Sequence, residues 1–294
     1  SAASDVYKRQ PVRKAPEHIE WEMSAAQKGG YPHFMLKEIY DQPKALRDTI
    51  NPRIRNGRVV LDDVKLDESY LRGLRRIYMV ACGSASYVGN HAKYILERTT
   101  RIQVEPVLAS EFRYSEPVLG DDTLVIIISQ SGETSDTLAA LRLAKSRGVP
   151  VLAVVNVVGS SIARAADYVL YTYAGPEIAV ASTKAYMVQL CTLYLFAFRL
   201  AYARGRLSEA ETRRLTAELL RAGEVIQPRL ADCEQIKYLA SRFVNTQSCF
   251  FIGRGFDYAL SLEGSLKLKE ISYVHSDAYA AGELKHGTCL LYTS

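Results

Sequence analysis

The sequence predicts an α/β protein: a doubly wound, five-stranded parallel sheet followed by the truncated start of a second, similar domain. Three observations point there. The run 123–128, Thr-Leu-Val-Ile-Ile-Ile, is rich in β-branched residues without polar alternation, as in a strand buried on both faces. Strand and helix patterns alternate from residue 76 to about residue 204, which implies parallel strands joined by crossover helices. A strand and glycine turn at 249–253, followed by a helical pattern over 258–271, echoes residues 77–93.

In chain order, residues 1–30 read as a linker and a non-native-looking N-terminus, because Pro11, Pro16, Gly29 and Gly30 stand among charges without periodicity. Residues 31–70 form a helical lead-in, expected as two short helices broken at Pro43, then turns around the short apolar stretch 59–61. The first domain spans 71–205. It is expected to hold strands at 77–81, 103–108, 123–128, 151–155 and 168–172, with helices at 85–98, 138–147 and 160–166 and a long one ending near Arg204. Residues 206–235 suit an interdomain helix ended by Pro228, and 236–294 open the second domain.

The 294 residues suffice for one large or two ordinary domains. Net charge is +5, with basic residues spread among 32 acidic ones, so a nucleic-acid partner is not indicated. Cys82, Cys191, Cys233, Cys249 and Cys289 include no Cys-x-x-Cys pair, which suits a reducing, cytoplasmic setting. No signal-peptide pattern opens the chain, and the apolar stretch 187–202 is short and carries Gln189 and Arg199. It reads as a buried core helix, with no role in a membrane. The histidines show no ligand spacing with cysteines or carboxylates, and neither a metal nor a cofactor is expected.

The chemistry concentrates in the turn 129–137, Ser-Gln-Ser-Gly-Glu-Thr-Ser-Asp-Thr. A glycine turn leading into a helix offers free N–H groups and the positive helix end to an anion, and neighbouring hydroxyls add neutral donors for phosphate oxygens. The same residues equally fit a Ser/Thr-capped turn, with Ser135, Asp136 or Thr137 as the cap. The glycine turn at Cys82, Gly83 and Ser84 would lie at the same sheet edge, and Ser182 and Thr183 precede the long helix in a third polar turn. Downstream, Glu263, Lys267 and Glu270 share one helix side at i, i+4 and i+7. Such a group can move a proton between adjacent carbons of an open-chain sugar, or can be a surface salt-bridge ladder. His286 reads as an exposed turn residue able to act as acid or base, and Cys82 as a small buried residue.

Cys82-Gly83-Ser84, the 129–134 turn, Val180-Ala181-Ser182-Thr183-Lys184-Ala185 and the stretch 263–287 closely resemble the glutamine–fructose-6-phosphate aminotransferase (isomerizing) family, the glucosamine-6-phosphate synthases. Residues 30–39 look like that family's join between glutaminase and isomerase parts, and the 129–134 turn alone marks the wider sugar isomerase (SIS) class. The resemblance implies a sugar-phosphate ligand, fructose 6-phosphate or glucosamine 6-phosphate. Ser129, Gln130, Ser131 and Thr134 would hold its phosphate; Ser84, Val180 and Ser182 would contact the sugar, with Cys82, Gly83 and Ala181 in the same site. It further implies that Glu270 shuttles a proton between C1 and C2 with Lys267 assisting, and that His286 opens the sugar ring across a homodimer interface. Ala85 departs from the pattern, since many relatives have a phosphate-binding serine there. The resemblance also implies a missing glutaminase domain and a missing tail lysine, with foreign sequence at 1–10 and 288–294. The expectation is therefore a fragment that binds sugar phosphate but does not make glucosamine 6-phosphate from glutamine. The alternative is a non-catalytic sugar-phosphate sensor, which would need the phosphate turn but neither Glu270 nor His286.

Overall fold

The computed structural model describes residues 27–62 and 64–287; the expectations for residues 1–26 and 288–294, which include His18 and Cys289, lie outside the described residues. The lead-in is one helix, α1 (Phe34–Ile50), and not two, although Pro43 lies inside it. Proline removes the bond that would close on the Ile39 carbonyl, and the Gln42 side-chain amide donates to that carbonyl instead, at 3.0 Å. A two-residue antiparallel pair follows, β1 (Ile54–Arg55) with β2 (Arg58–Val59), turning through Asn56 and Gly57 at positive φ. Helix α2 (Glu68–Gly73) is capped by Asp67, whose carboxylate accepts from Ser69 N and Tyr70 N.

Next come β3 (Arg76–Ala81), α3 (Ser84–Thr100), β4 (Gln103–Leu108), the short α4 (Ala109–Phe112), β5 (Thr123–Ser129), α5 (Ser135–Ser146), β6 (Val151–Val155), α6 (Ser161–Ala165) and β7 (Tyr168–Tyr171). The five strands pair in parallel in the order β4-β3-β5-β6-β7. This is the doubly wound sheet that the sequence predicts. Its faces sort by residue parity: Ile77, Met79, Leu124, Ile126 and Ile128 join the core under α3, while Tyr78, Val80, Val125 and Ile127 join the core under α5. Chain order reverses between β3 and β5, the switch point at which such sheets leave a crevice.

Helix α7 (Lys184–Ala203) contributes to the core under α3 and to a third cluster against α1. Among the described residues it alone is long and apolar enough to cross a membrane, and 78% of its apolar window is buried inside the fold, as befits a core helix. The expected single helix ended by Pro228 is instead two, α8 (Glu209–Leu220) and α9 (Ala222–Ala231), with Pro228 inside the second. The chain turns at Arg221 so that α9 lies on α1, where a side chain at Gly223 would come within 3.1 Å of the Pro43 carbonyl.

After α10 (Glu234–Ser241), the strand β8 (Ser248–Gly253), helix α11 (Phe256–Ser272) and parallel strand β9 (His275–Ala280) repeat the β3–α3–β4 unit. Both helices have 17 residues, start after a glycine at φ 56° (Gly83, Gly255) and end at a left-handed residue at φ 58° (Arg101, Tyr273). The two units meet through α3 and α11, with Phe256 packed on His91 and Tyr94.

Candidate functional site

At the carboxyl ends of β3 and β5 lies a cavity of about 220 Å³, lined by Cys82, Ser84, Ala85, Ile128, Ser129, Gln130, Ser131, Thr134, Val180, Ser182, Gln189 and Glu270. Nine of the sequence-derived candidates are on that wall, and Gly83 and Ala181 lie between residues that form it.

The turn after β5 is organised by its own side chains. Ser129 Oγ accepts from Gly132 N at 3.0 Å, Ser131 Oγ accepts from Glu133 N at 3.2 Å, and Ser129 and Thr134 hydroxyls lie 3.3 Å apart. A hydroxyl that accepts a backbone N–H keeps its own proton to donate, so the turn presents donors to the cavity without any basic side chain on the wall. Helix α5 begins three residues before the expected Leu138. Its N-cap is Thr134, not Ser135, Asp136 or Thr137, and the Thr134 hydroxyl makes no capping bond, which leaves the first-turn amides without a side-chain acceptor. Glu133 turns away from the site and takes the Ser161 amide at 2.8 Å.

The wall carrying Val180 and Ser182 is held by one buried and one half-buried carboxylate and by one amide. Glu38 of α1, 2% exposed, accepts from Ile178 N at 2.7 Å and Ala179 N at 3.1 Å. Glu177 accepts from Thr183 N at 2.9 Å, Ala185 N at 3.1 Å and the Ser182 hydroxyl at 3.2 Å, so it caps α7, whose N-cap residue Thr183 makes no capping bond of its own. Burial, and then the charge of nearby Glu38, push the Glu177 carboxyl above its ordinary range, against the pull of those hydrogen bonds. Asn156, at the end of β6, accepts from Ala174 N and donates to the Gly175 carbonyl, while its own amide donates to the Gln130 carbonyl. It ties the β5–α5 turn to this loop. Glu38→Ala is expected to weaken ligand binding about tenfold and stability by about 1–3 kcal/mol, since the Ile178 and Ala179 amides lose their buried acceptor, with rescue by Glu38→Gln. Titration calorimetry and urea unfolding measure both; unchanged affinity would detach Glu38 from the site.

Glu270 reaches the cavity from α11, in the second β–α–β unit. Lys267 does not line it but lies behind Glu270, 2.6 Å from that carboxylate and 3.4 Å from Glu263. Glu263 is 6% exposed, and burial raises its carboxyl above the ordinary range, while Lys267 and a hydrogen bond with Ser84 hold it down. This is not a surface ladder: Lys267 and Glu263 are shielded, and Ser84 joins them from the first unit. Burial raises the Cys82 thiol, which suits a wall residue better than a nucleophile. His286 stands exposed in a short 3₁₀ turn after β9 and does not line this cavity. Ala85 does line it, with no hydroxyl to offer. Among the described residues, no group of three or more His, Cys, Asp or Glu is placed to hold a metal ion.

No site role was read from the sequence for Gln189, Asn156, Glu38 or Glu177, and Gln189 figured there only as a polar break in the apolar stretch 187–202. Gln189 and Asn156 each interrupt an apolar stretch, which is a readable signal, whereas nothing local marks Glu38 or Glu177.

The SIS domain family model matches residues 70–199 and 243–294. The chain is 52% identical over 281 residues to the glutamine--fructose-6-phosphate aminotransferase [isomerizing] of Clostridium acetobutylicum, covering 95% of this chain and 46% of that protein. It is 50% identical over 288 residues to the Caldanaerobacter subterraneus protein of the same name, covering 98% of this chain and 47% of the relative. The chain thus spans about half the length of the curated relatives it matches. Among solved structures, the C-terminal domain of glucosamine-fructose-6-phosphate aminotransferase from Francisella tularensis superposes with a TM-score of 0.86 at 40% identity, over 90% of this chain and 74% of that one. A glucosamine-6-phosphate deaminase from Thermotoga maritima shares the fold, with a TM-score of 0.63 at 23% identity over 87% of this chain and 72% of that one.

Proposed function

Because the chain belongs to the SIS domain family, in the group of the C-terminal domains of glucosamine-fructose-6-phosphate aminotransferases, we propose that its cavity binds a hexose 6-phosphate and that Glu270 moves a proton between C1 and C2 of the opened sugar. The observation that carries this reading is the cavity itself: the hydroxyl-rich turn of the first unit and a carboxylate of the second line the same space. The phosphate goes to the hydroxyls of Ser129, Ser131 and Thr134 and the adjacent helix start, where neutral donors and the helix dipole act together. Gln130 stays with the phosphate group, and Ser84, Val180 and Ser182 bound the sugar, with Cys82, Gly83 and Ala181 beside them.

Proton transfer between neighbouring carbons needs a base that serves both and a group that stabilises the enediol oxygen as it gains charge. Glu270 has the carboxylate, and the Lys267 ammonium at 2.6 Å supplies the positive field. Hexose opening is assigned to His286 of a second copy, so a homodimer belongs to the reading. The sugar and ammonia would yield glucosamine 6-phosphate; release of ammonia from glutamine is not assigned to this chain.

Isothermal titration with fructose 6-phosphate and glucosamine 6-phosphate tests the reading. Saturable binding that inorganic phosphate displaces is expected. A demonstrably folded sample that binds neither sugar would overturn it.

A further inference from the structure

We propose that Gln189 is a ligand-binding residue of this cavity, whose carboxamide donates a hydrogen bond to an uncharged oxygen of the sugar and so reads the sugar part and not the phosphate. The inference rests on the hexose-phosphate reading above.

Gln189 lies in the second turn of α7, between Val188 and Leu190, in a helix whose neighbouring side chains are core. It is 2% exposed, lines the cavity, and its Nε2 has no hydrogen-bond partner in the protein. A buried amide without a partner destabilises a core, so a position that keeps one has a use for it. Local satisfaction is available to shorter polar residues on the same helix: the Thr192 hydroxyl donates to the Val188 carbonyl at 2.8 Å. Gln189 instead lines a cavity large enough for ordered water, which a ligand oxygen would replace as the partner of its carboxamide.

The chemistry selects the sugar end. Phosphate has its donors in the β5–α5 turn, through Ser129, Ser131 and Thr134, whereas Gln189 comes from a different element, α7. A carboxamide carries both a donor and an acceptor, which matches a sugar hydroxyl or carbonyl and adds no charge beside Glu270. It is also unable to take the proton that Glu270 moves, so its part is orientation of the ligand.

The test is titration of Gln189→Met with fructose 6-phosphate and, separately, with inorganic phosphate, alongside thermal unfolding. Methionine keeps the length and volume and removes the donor. Fructose 6-phosphate affinity is expected to fall about tenfold, with inorganic phosphate binding unchanged and the unfolding midpoint equal or higher, because an unsatisfied buried amide is gone. Gln189→Leu provides the same measurement should the methionine variant fail to fold. Equal fructose 6-phosphate affinity in parent and variant would overturn the proposal. So would a parallel loss for both ligands or a lowered midpoint, which would assign the amide to structure alone. A parent protein that binds inorganic phosphate but not fructose 6-phosphate overturns the hexose-phosphate reading itself, a result distinct from any variant effect.

Discussion

Gly132→Ala is expected to weaken sugar-phosphate binding about a hundredfold or more and to cost about 2–5 kcal/mol of stability. Gly132 sits at φ +66°, and a β-carbon there would fall 2.0 Å from Ser160 Oγ and 2.5 Å from Ser160 Cβ. The Ser160 Cβ cannot rotate away, because it is fixed by the backbone that starts α6, where Ser160 Oγ accepts from Ala163 N and Ile162 N donates to the Gly132 carbonyl. Either α6 must retreat or the turn must open. Retreat of α6 breaks the bond from Ile162 N to the Gly132 carbonyl, and opening of the turn breaks the bond from Gly132 N to Ser129 Oγ, which sets the Ser129 hydroxyl toward a ligand. Gly148→Ala is the control, since Gly148 has φ +73° but open space around it and should show only the left-handed penalty, about 1–2 kcal/mol. If urea unfolding gives both variants the same loss and Gly132→Ala keeps its affinity, the close approach to Ser160 is unimportant.

How far the sequence disclosed the site depends on the range over which each residue acts. The parallel sheet was legible because double-sided burial leaves a local mark: Leu124 to Ile128 are all fully buried, and the sequence there has no polar alternation. Ser129, Ser131 and Thr134 were legible for the same reason, being packed into one turn. The start of α5 was misplaced because Ser135, Asp136 and Thr137, which look like caps, lie inside the first turn of the helix, where the Thr137 hydroxyl donates back to the Thr134 carbonyl at 2.8 Å. Pro43 misled because its repair, the Gln42 side chain, acts through a side-chain bond that no helix-period pattern contains. Glu38 was hidden because its partners, Ile178 and Ala179, are 140 and 141 positions away.

The Glu263–Lys267–Glu270 group illustrates both sides of this limit. Helical spacing placed Glu263, Lys267 and Glu270 together, and the ion pairs follow it. Spacing could not say whether they face water. That was decided by α11 packing on α3, which buries Glu263 and brings Ser84 to it, so the same arrangement that joins the two β–α–β units also assembles the cavity from both. Substrate binding and the association of the units should therefore be linked: a ligand that touches Ser84 and Glu270 together holds the two units in register.

Lys267→Met is expected to cost about 3–5 kcal/mol near neutral pH, and less in acid. An exposed ladder would lose about 0.5 kcal/mol for the same change. The difference lies in Glu263, whose carboxylate is buried, with its charge felt by the Tyr87 and Tyr186 hydroxyls and with Glu270 adding a second negative charge. Its folded-state carboxyl is raised by burial first, and Lys267 opposes the rise. A raised value means that the folded protein holds the proton more tightly than the unfolded chain does. Stability contributed by Glu263 is thus full below the unfolded value of about 4.3 and declines as pH rises through the folded value. Removing Lys267 deletes the attraction that limits the rise, so the declining window extends further toward neutrality. Urea unfolding of parent and variant at about pH 5 and about pH 8 should give a gap that widens with pH. Lys267→Met with Glu263→Gln should recover most of the loss at the higher pH, because a neutral amide no longer needs the cation. A gap independent of pH, or a double variant no more stable than Lys267→Met, would show that the lysine contributes packing of its stem and no compensation of buried charge.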